Sequence, residues 1–328
     1  GAVIDFTELD PTASEGWKMF NGVLQYDDVL DLFQNDYGYN LTDYKFESTF
    51  PITATKSFLS TSPTIQYARL EDYGTISFLN FISNDNVYEI EIIYYWSGGS
   101  STETVEWQSA NGASSGSGPL SNTRLAYFGA FPANLQNWSA TFASAVTSGL
   151  TYYTVQALNS LGHSISRHLT VNILCPEIKG YEGVRLTWLN KWGTWDYYTF
   201  NMKSTRSVTT NRTSYTQLGG TWNEKTFKIA DYKGGKKNFR VNSTEKIKLN
   251  TDFVTEAEGV WFEQLINSPE VYVLEGFQTD SNFSSLNNYV EPATVTTSSY
   301  IRKTIANDRL MQYTFEIEKS KMKRTQSV

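Results

Sequence analysis

The stretch Gly183–Phe200, GVRLTWLNKWGTWDYYTF, decides the fold. A tight turn is predicted at residues 190–193, where a glycine follows Asn-Lys-Trp. Large apolar or β-branched side chains recur at every second position on both sides of this turn, at Val184, Leu186, Trp188, Trp195, Tyr197 and Thr199. Two Trp-rich strands bury much apolar area in few residues, which is typical of the centre of a β-sandwich or barrel. We expect later strands to pack on this hairpin and the preceding sequence to form a separate module.

The length and composition predict more than one β-domain. The chain has 328 residues, 15% of them aromatic, and few long helical patterns. The predicted fold is mainly β, with two β-sandwich-like domains, one short helix in the C-terminal domain and an extended N-terminal segment. We place the N-terminal arm at residues 1–62, a fibronectin- or immunoglobulin-like sandwich at 63–175 and a C-terminal β-domain at 176–328, with its helix at 255–267.

Short strands separated by turns are predicted throughout the first domain, and this spacing is typical of a sandwich. The clearest is 87–96, where Ile90 and Ile92 alternate with Glu89 and Glu91. The other segments that favour strands are 65–81, 102–108, 124–128, 139–145, 151–158 and 164–174.

The second domain combines further strands with a capped helix. Strands are predicted at 204–215, 217–222, 271–274, 294–305 and 310–318. A Gly-Gly turn at 233–236 predicts a hairpin between 227–229 and 239–241. Thr255 and Glu258 have the spacing of a capping box that starts a helix. In the last strand, side chains at alternate positions are expected to face the core: Met311, Tyr313, Phe315 and Ile317.

Charge is unevenly distributed along the chain. Residues 179–250 carry fourteen bases and five acids, and so +9, whereas residues 1–60, 61–178 and 251–328 carry −7, −5 and −4. A basic middle between acidic ends favours docking of copies of the chain, or of acidic neighbours, by complementary fields. A solvated basic sheet face would have the same composition.

Patterns of catalytic or metal-binding residues are weak. The two histidines, His163 and His168, lie five apart in one predicted strand and would point to opposite faces. The single cysteine, Cys175, excludes an internal disulfide and is expected to be buried at the domain junction. Glu89 and Glu91 would lie about 7 Å apart, within the range of glycosidase carboxylates. Alternating Glu is also the ordinary outer face of a half-buried strand, so we predict no enzyme, metal or cofactor.

Two sets of residues are candidates for contacts. The basic candidates for subunit contact are Lys233, Lys236, Lys237 and Arg240, and nucleic acid is the minority interpretation of this cluster because the chain is acidic overall. The aromatic candidates for stacking on sugars are Trp107, Trp222 and Tyr232. No apolar run approaches the roughly 20 residues of a membrane helix, and the opening GAVIDFTELD is not typical of a signal peptide.

The chain resembles a group of virion structural proteins of tailed bacteriophages, especially marine and Bacteroidetes phages. The resemblance covers roughly residues 67–328, is strongest after Cys175, and is carried by the segments LTWLNKWGTWDYYTF at 186–200, GGTWN at 219–223, NTDFVTE at 250–256, WFEQLINSPEVY at 261–272, KT at 303–304, ND at 307–308 and QYTF at 312–315. It implies a non-enzymatic tail, baseplate, collar or fibre-adaptor component of the virion. The implied partners are copies of itself and other tail proteins. Two alternatives remain: a tail protein that recognises host surface glycan, and a hydrolase of cell-envelope glycan.

Overall fold

The protein is mainly β. A computed structural model describes residues 45–46, 56–80, 87–106, 125–174, 181–220, 226, 228, 234–274, 289–301, 311–321 and 323–326. These residues form sixteen strands and three helices. Most of the predicted N-terminal arm, and Cys175, lie outside them.

The described residues up to 174, which we call the first module, form two sheets. The three-stranded sheet has the order β1 (Lys45–Phe46), β3 (Ile76–Asn80), β6 (Leu125–Phe128). The five-stranded sheet has the order β2 (Ile65–Ala68), β8 (Leu169–Ile173), β7 (Leu150–Leu158), β4 (Glu89–Trp96), β5 (Gly99–Glu106). The predicted strand at 65–81 is therefore two strands in different sheets.

The two sheets and two helices of the first module share one core. Ile90 and Ile92 of β4 are fully buried, as their alternation with glutamates predicts, and Tyr94 of the same strand is also fully buried. They belong to the same buried cluster as Phe78 and Phe128 of the three-stranded sheet. The arrangement is sandwich-like, as predicted from the spacing of the strands.

The prediction of a strand at 139–145 is wrong. This segment belongs to helix α2 (Ala140–Thr147), which follows helix α1 (Pro132–Trp138). The Ser139 hydroxyl accepts a hydrogen bond from the Phe142 N–H at 2.8 Å and so caps α2. Phe142 and Ala145, three residues apart, face the core. Seven residues are too few to separate this helical spacing from strand alternation.

The second module, which comprises the described residues from 181 onward, is built on an eight-stranded antiparallel sheet. Its order is β10 (Trp195–Phe200), β9 (Val184–Leu189), β13 (Val271–Leu274), β14 (Val290–Val295), β15 (Thr314–Lys319), β12 (Gly235–Asn250), β11 (Thr205–Gln217), and β16 (Lys323–Gln326) also pairs with β12. The Trp-rich hairpin predicted at 183–200 is confirmed as β9 and β10, with Leu189 opposite Trp195.

Helix α3 (Glu256–Asn267) packs on this hairpin and confirms the predicted helix and its capping box. The Trp188 and Trp261 rings lie 4.9 Å apart between centroids. Phe262 is fully buried beside Phe200 and Phe315. The side chains predicted to face inward near the C-terminus are buried, namely Met311, Tyr313, Phe315 and Ile317.

Two further sequence predictions are wrong. Residues 239–241, predicted to pair with 227–229, lie in β12, where Arg240 is opposite Thr213 and Val241 opposite Arg212 of β11. His163 and His168 do not share a strand, because both lie in the connection between β7 and β8. That connection is held by Asn159, whose side-chain oxygen accepts hydrogen bonds from the N–H groups of Leu161 and His163.

Candidate assembly surface

Strand β11 has no side facing a core. Residues 205–216 are all exposed, and the 13-residue strand spans roughly 43 Å. Its sequence, TRSVTTNRTSYTQ, has polar side chains at both alternating sets of positions. We call β11 together with residues 235–245 of β12 the ribbon, because these two strands project without a covering layer.

A β-bulge in the ribbon sets the direction of its cations. Asn238 is opposite Ser214 and Arg240 is opposite Thr213, so Phe239 is the extra residue. Lys237 is opposite Tyr215. Because opposite residues share a face, Lys237 and Arg240 lie on the same face although they are three residues apart. Without the bulge they would point to opposite sides.

The other face of the ribbon carries a second pair of cations. Arg212 is opposite Val241, and Lys236 is opposite Thr216. Arg212 and Thr216 are four residues apart in β11 and therefore share a face. Three of the four predicted contact residues, Lys236, Lys237 and Arg240, thus lie on the ribbon but on two faces, and Lys233 lies outside the described residues.

Ion pairs between described residues lie at the base of the ribbon. Arg206 contacts Glu182 at 2.8 Å and Glu245 at 3.3 Å. Lys236 and Lys237 form no ion pair with any residue that the structure describes. The tip therefore presents positive charge to solvent.

The outer edge of β11 is also a candidate contact. β11 is the last strand of its sheet, and among the described strands it pairs with β12 alone. It has no proline, and its only charged residues are Arg206 and Arg212. A long edge strand rich in Thr has main-chain groups available for another chain.

An acidic surface lies on the first module, on the outer face of β4 and β5. Glu89 of β4 is directly opposite Glu106 of β5. Glu91 lies two residues further along the same face and accepts a hydrogen bond from Gln156. Glu89 and Glu91 occupy the outer sheet face, as in the ordinary interpretation of alternating Glu.

A buried ion pair joins the two modules. Arg185 of β9 and Asp72 of the first module are each 1% exposed, and Nη1 of Arg185 lies 3.5 Å from Oδ2 of Asp72. Arg185 donates hydrogen bonds to the Tyr73 carbonyl and to the Thr199 hydroxyl, both at 2.8 Å. Its guanidinium carbon lies 4.6 Å from the Phe131 ring centroid, which adds a cation–π contact.

Asp72 is held in its charged form. Burial raises the pKa of Asp72, but the positive charges of Arg185 and Arg69 outweigh burial and lower the pKa below the ordinary 3.8. Arg69 contributes through Nη2, which lies 2.9 Å from Oδ1. Thr199 donates a further hydrogen bond at 2.7 Å. The two guanidinium groups and this hydrogen bond therefore stabilise the charged carboxylate.

A second carboxylate joins the modules nearby. Asp196 of β10, 3% exposed, accepts hydrogen bonds from Ser60 of the first module, Asn190 of the hairpin turn and the indole N–H of Trp261. Burial raises the pKa of Asp196, and the three hydrogen bonds lower it again in part. Sequence analysis did not identify Arg185, Asp72 or Asp196. For Arg185 and Asp196, the available signal was a charged residue within a strand of the Trp-rich hairpin at 183–200.

A cleft lies where the modules meet. Its lining includes Ser60, Gln66 and Ser77 of the first module and Trp195 and Tyr197 of β10. The cavity volume is about 70 Å³. Sites for drug-sized ligands are typically larger, about 300–1,000 Å³.

Other predicted sites are not brought together in the described part of the chain. Trp107, Trp222 and Tyr232 lie outside it, so glycan contact through them stays a prediction. Among the described residues, no three His, Cys, Asp or Glu side chains form a group that could hold a metal ion. The same residues include no helix long and apolar enough to cross a membrane.

Comparison with known proteins identifies no relative. None of the protein families, curated proteins or solved structures compared with the chain matches it.

Proposed function

We propose that this protein is a structural component of a bacteriophage virion tail, at the tail tip, baseplate, collar or fibre adaptor. It assembles there in multiple copies through contacts with itself and with other tail proteins. Catalysis has no part in the proposed role. The proposed location in the virion rests on the segments that resemble tail proteins. The proposed assembly through protein contacts rests on the ribbon.

The observation that carries the proposal is the exposed ribbon. A strand of 13 residues with 12 exposed positions contributes little to the core of its own chain. Long exposed strands are a hazard for aggregation unless a partner covers them. A ribbon with cations on both faces suits acidic protein partners, because complementary charge directs the orientation of docking.

The junction between the modules supports a structural role. The Arg185–Asp72 ion pair and the hydrogen bonds of Asp196 tie both strands of the Trp-rich hairpin to the first module. Buried polar networks need defined geometry to compensate for desolvation. Such a network favours one relative position of the modules, which a repeated assembly requires.

The test uses purified particles of a phage whose genome encodes the chain. Quantitative mass spectrometry is expected to find the protein in several copies per particle, and antibodies against it are expected to label the tail in electron micrographs. Absence from the particles, or labelling of the head alone, would contradict the proposal.

The alternative of host-glycan recognition has a separate readout. Binding of the purified chain to a glycan array, abolished by Trp107→Ala or Trp222→Ala, would support that function. Clearing of envelope glycan in a zymogram would instead indicate a hydrolase.

A further inference from the structure

We propose that copies of this chain contact one another head to tail, the ribbon of one copy docking on the acidic outer face of β4 and β5 of the next. The inference rests on the multi-copy assembly proposed above and identifies the two surfaces that meet. The docking face of the ribbon is the one that carries Lys237, Arg240 and Tyr215. Its partner surface carries Glu89, Glu91 and Glu106.

The docking face combines charge with an aromatic anchor. Lys237 lies directly opposite Tyr215, and Arg240 lies opposite Thr213, two residues further along. Tyr215 is 47% exposed, and Phe239 at the bulge is 63% exposed. Tyrosine and arginine are enriched in protein interfaces, because each offers a large contact area together with hydrogen-bonding groups.

The acidic face places like charges close together, although Tyr88 donates a hydrogen bond to Glu106 and Gln156 donates one to Glu91. Glu89 and Glu106 are directly opposite across the β4–β5 pair, a position in which Cβ atoms are about 5 Å apart and like charges destabilise a sheet. Glu91 adds a third carboxylate on the same side. None of the three forms an ion pair with a described residue. A cationic partner would relieve this repulsion.

The charged residues of the ribbon and those of the acidic face have the same spacing. Lys237 and Arg240 stand opposite residues two apart in β11, so they are separated by about 7 Å along the ribbon. Glu89 and Glu91 are also two apart in one strand, and their separation is therefore about 7 Å as well. Each cation of the pair can then face one carboxylate.

The two surfaces lie on different modules, and this determines the kind of assembly. When one copy uses its ribbon and the next uses its acidic face, each copy keeps one surface of each kind for a further neighbour. Such a heterologous contact produces a ring if the rotation closes and an open chain if it does not. Both outcomes suit a ring or sleeve in a tail.

Charge reversal tests the contact in the purified full chain at low salt, about 50 mM, where the Debye length is long enough for exposed charges to interact. The ribbon variant is Lys237→Glu with Arg240→Glu, and the acidic-face variant is Glu89→Lys with Glu91→Lys. The matched control is Arg212→Glu with Lys236→Glu, which makes the same charge change on the opposite face of the ribbon. Circular dichroism checks that each variant is folded.

Sedimentation is expected to show association of the wild type, weakened at least tenfold in either docking variant and less than threefold in the control. A 1:1 mixture of the two docking variants is expected to associate again with the two variants alternating, because the ribbon of each variant is opposite in charge to the docking face of the other. The chain that carries all four docking substitutions should associate again, since every charge pair is restored with opposite sign.

Carbodiimide cross-linking of a mixture of ¹⁴N- and ¹⁵N-labelled wild type provides a second measurement that needs no variant. Cross-links between Lys237 of one label and Glu89, Glu91 or Glu106 of the other are expected. A wild type that stays monomeric to roughly 100 µM, or a ribbon variant that associates like the wild type, would overturn the inference. Either result leaves the virion role to be decided by labelling of particles.

Discussion

The carboxylate of Asp72 and the guanidinium of Arg185 face each other across the junction of the two modules, Oδ2 lying 3.5 Å from Nη1, and each side chain is 1% exposed. Neither charge reaches water, so Arg185 depends on Asp72 for compensation, and Asp72 depends on Arg185 together with Arg69. Phe131 and Tyr197 cover the guanidinium from the side, with ring centroids 4.6 and 5.2 Å from its carbon. The pair therefore contributes to the coupling between the two modules, beside the hydrogen bond from Ser60 to Asp196.

Asp72→Asn is expected to destabilise the protein by about 3 kcal/mol, because it leaves the Arg185 charge buried without a counter-charge. The measurement is urea unfolding followed by tryptophan fluorescence. Glu71→Gln is the matched control, because Glu71 contacts Arg69 at 3.3 Å with its side chain 37% exposed. Such an exposed pair contributes less than about 1 kcal/mol. Equal losses in the two variants would contradict the role of the buried pair.

Asp72 also predicts how stability changes with pH. The lowered pKa of Asp72 in the folded chain means that the unfolded chain binds this proton at a higher pH. The stabilisation is therefore complete above the unfolded pKa of 3.8, and it is lost as the pH falls through the folded pKa. We expect the difference in unfolding free energy between wild type and Asp72→Asn to shrink between about pH 5 and pH 2. A difference that stays constant over this range would contradict the lowered pKa.

Gly259 in α3 lies so close to the Tyr313 side chain that a larger residue would meet it. A Cβ atom at this position would lie 2.6 Å from the Tyr313 hydroxyl and 3.2 Å from its Cζ. Gly259→Ala should therefore destabilise by about 1–3 kcal/mol, although alanine favours helices by about 1 kcal/mol.

Tyr313→Phe removes the hydroxyl that the new Cβ would meet, so it provides the matched background for this substitution. In that background Gly259→Ala is expected to cost less, with a coupling free energy of about 1 kcal/mol or more in a double-mutant cycle. Additive effects would show that the clash is relieved elsewhere.

The capping box of α3 predicts a smaller effect. The Thr255 hydroxyl accepts a hydrogen bond from the Glu258 N–H at 3.3 Å, and the Glu258 carboxylate accepts one from the Thr255 N–H at 2.7 Å. Thr255→Ala should lower the unfolding free energy by about 1 kcal/mol. Thr255→Ser retains the hydroxyl and should behave like the wild type in the same urea titration. Similar losses for Ala and Ser would show that the cap contributes little.

Local sequence patterns predicted helices and strands correctly where one face of the element is buried. The alternation around Ile90 and Ile92, the Trp-rich hairpin and the capped helix were predicted correctly, because burial imposes a period that the sequence must follow. The same patterns failed at 139–145, because seven residues fit both the helical and the strand period. They also misplaced residues 239–241, because a Gly-Gly pair signals a turn without identifying the strand that pairs beyond it.

The amino-acid sequence by itself determined the mainly β class, the core-facing residues of the regular strands and the basic character of residues 179–250. The tertiary structure alone decided that Asp72 meets Arg185, 113 residues away, and that β12 pairs with β11. It also decided that Lys237 and Arg240 share one face of the ribbon, because a bulge at Phe239 shifts the register. The physical reason is that local periodicity orients a side chain within its own element. The partner of that element depends on how distant segments bury their surfaces together.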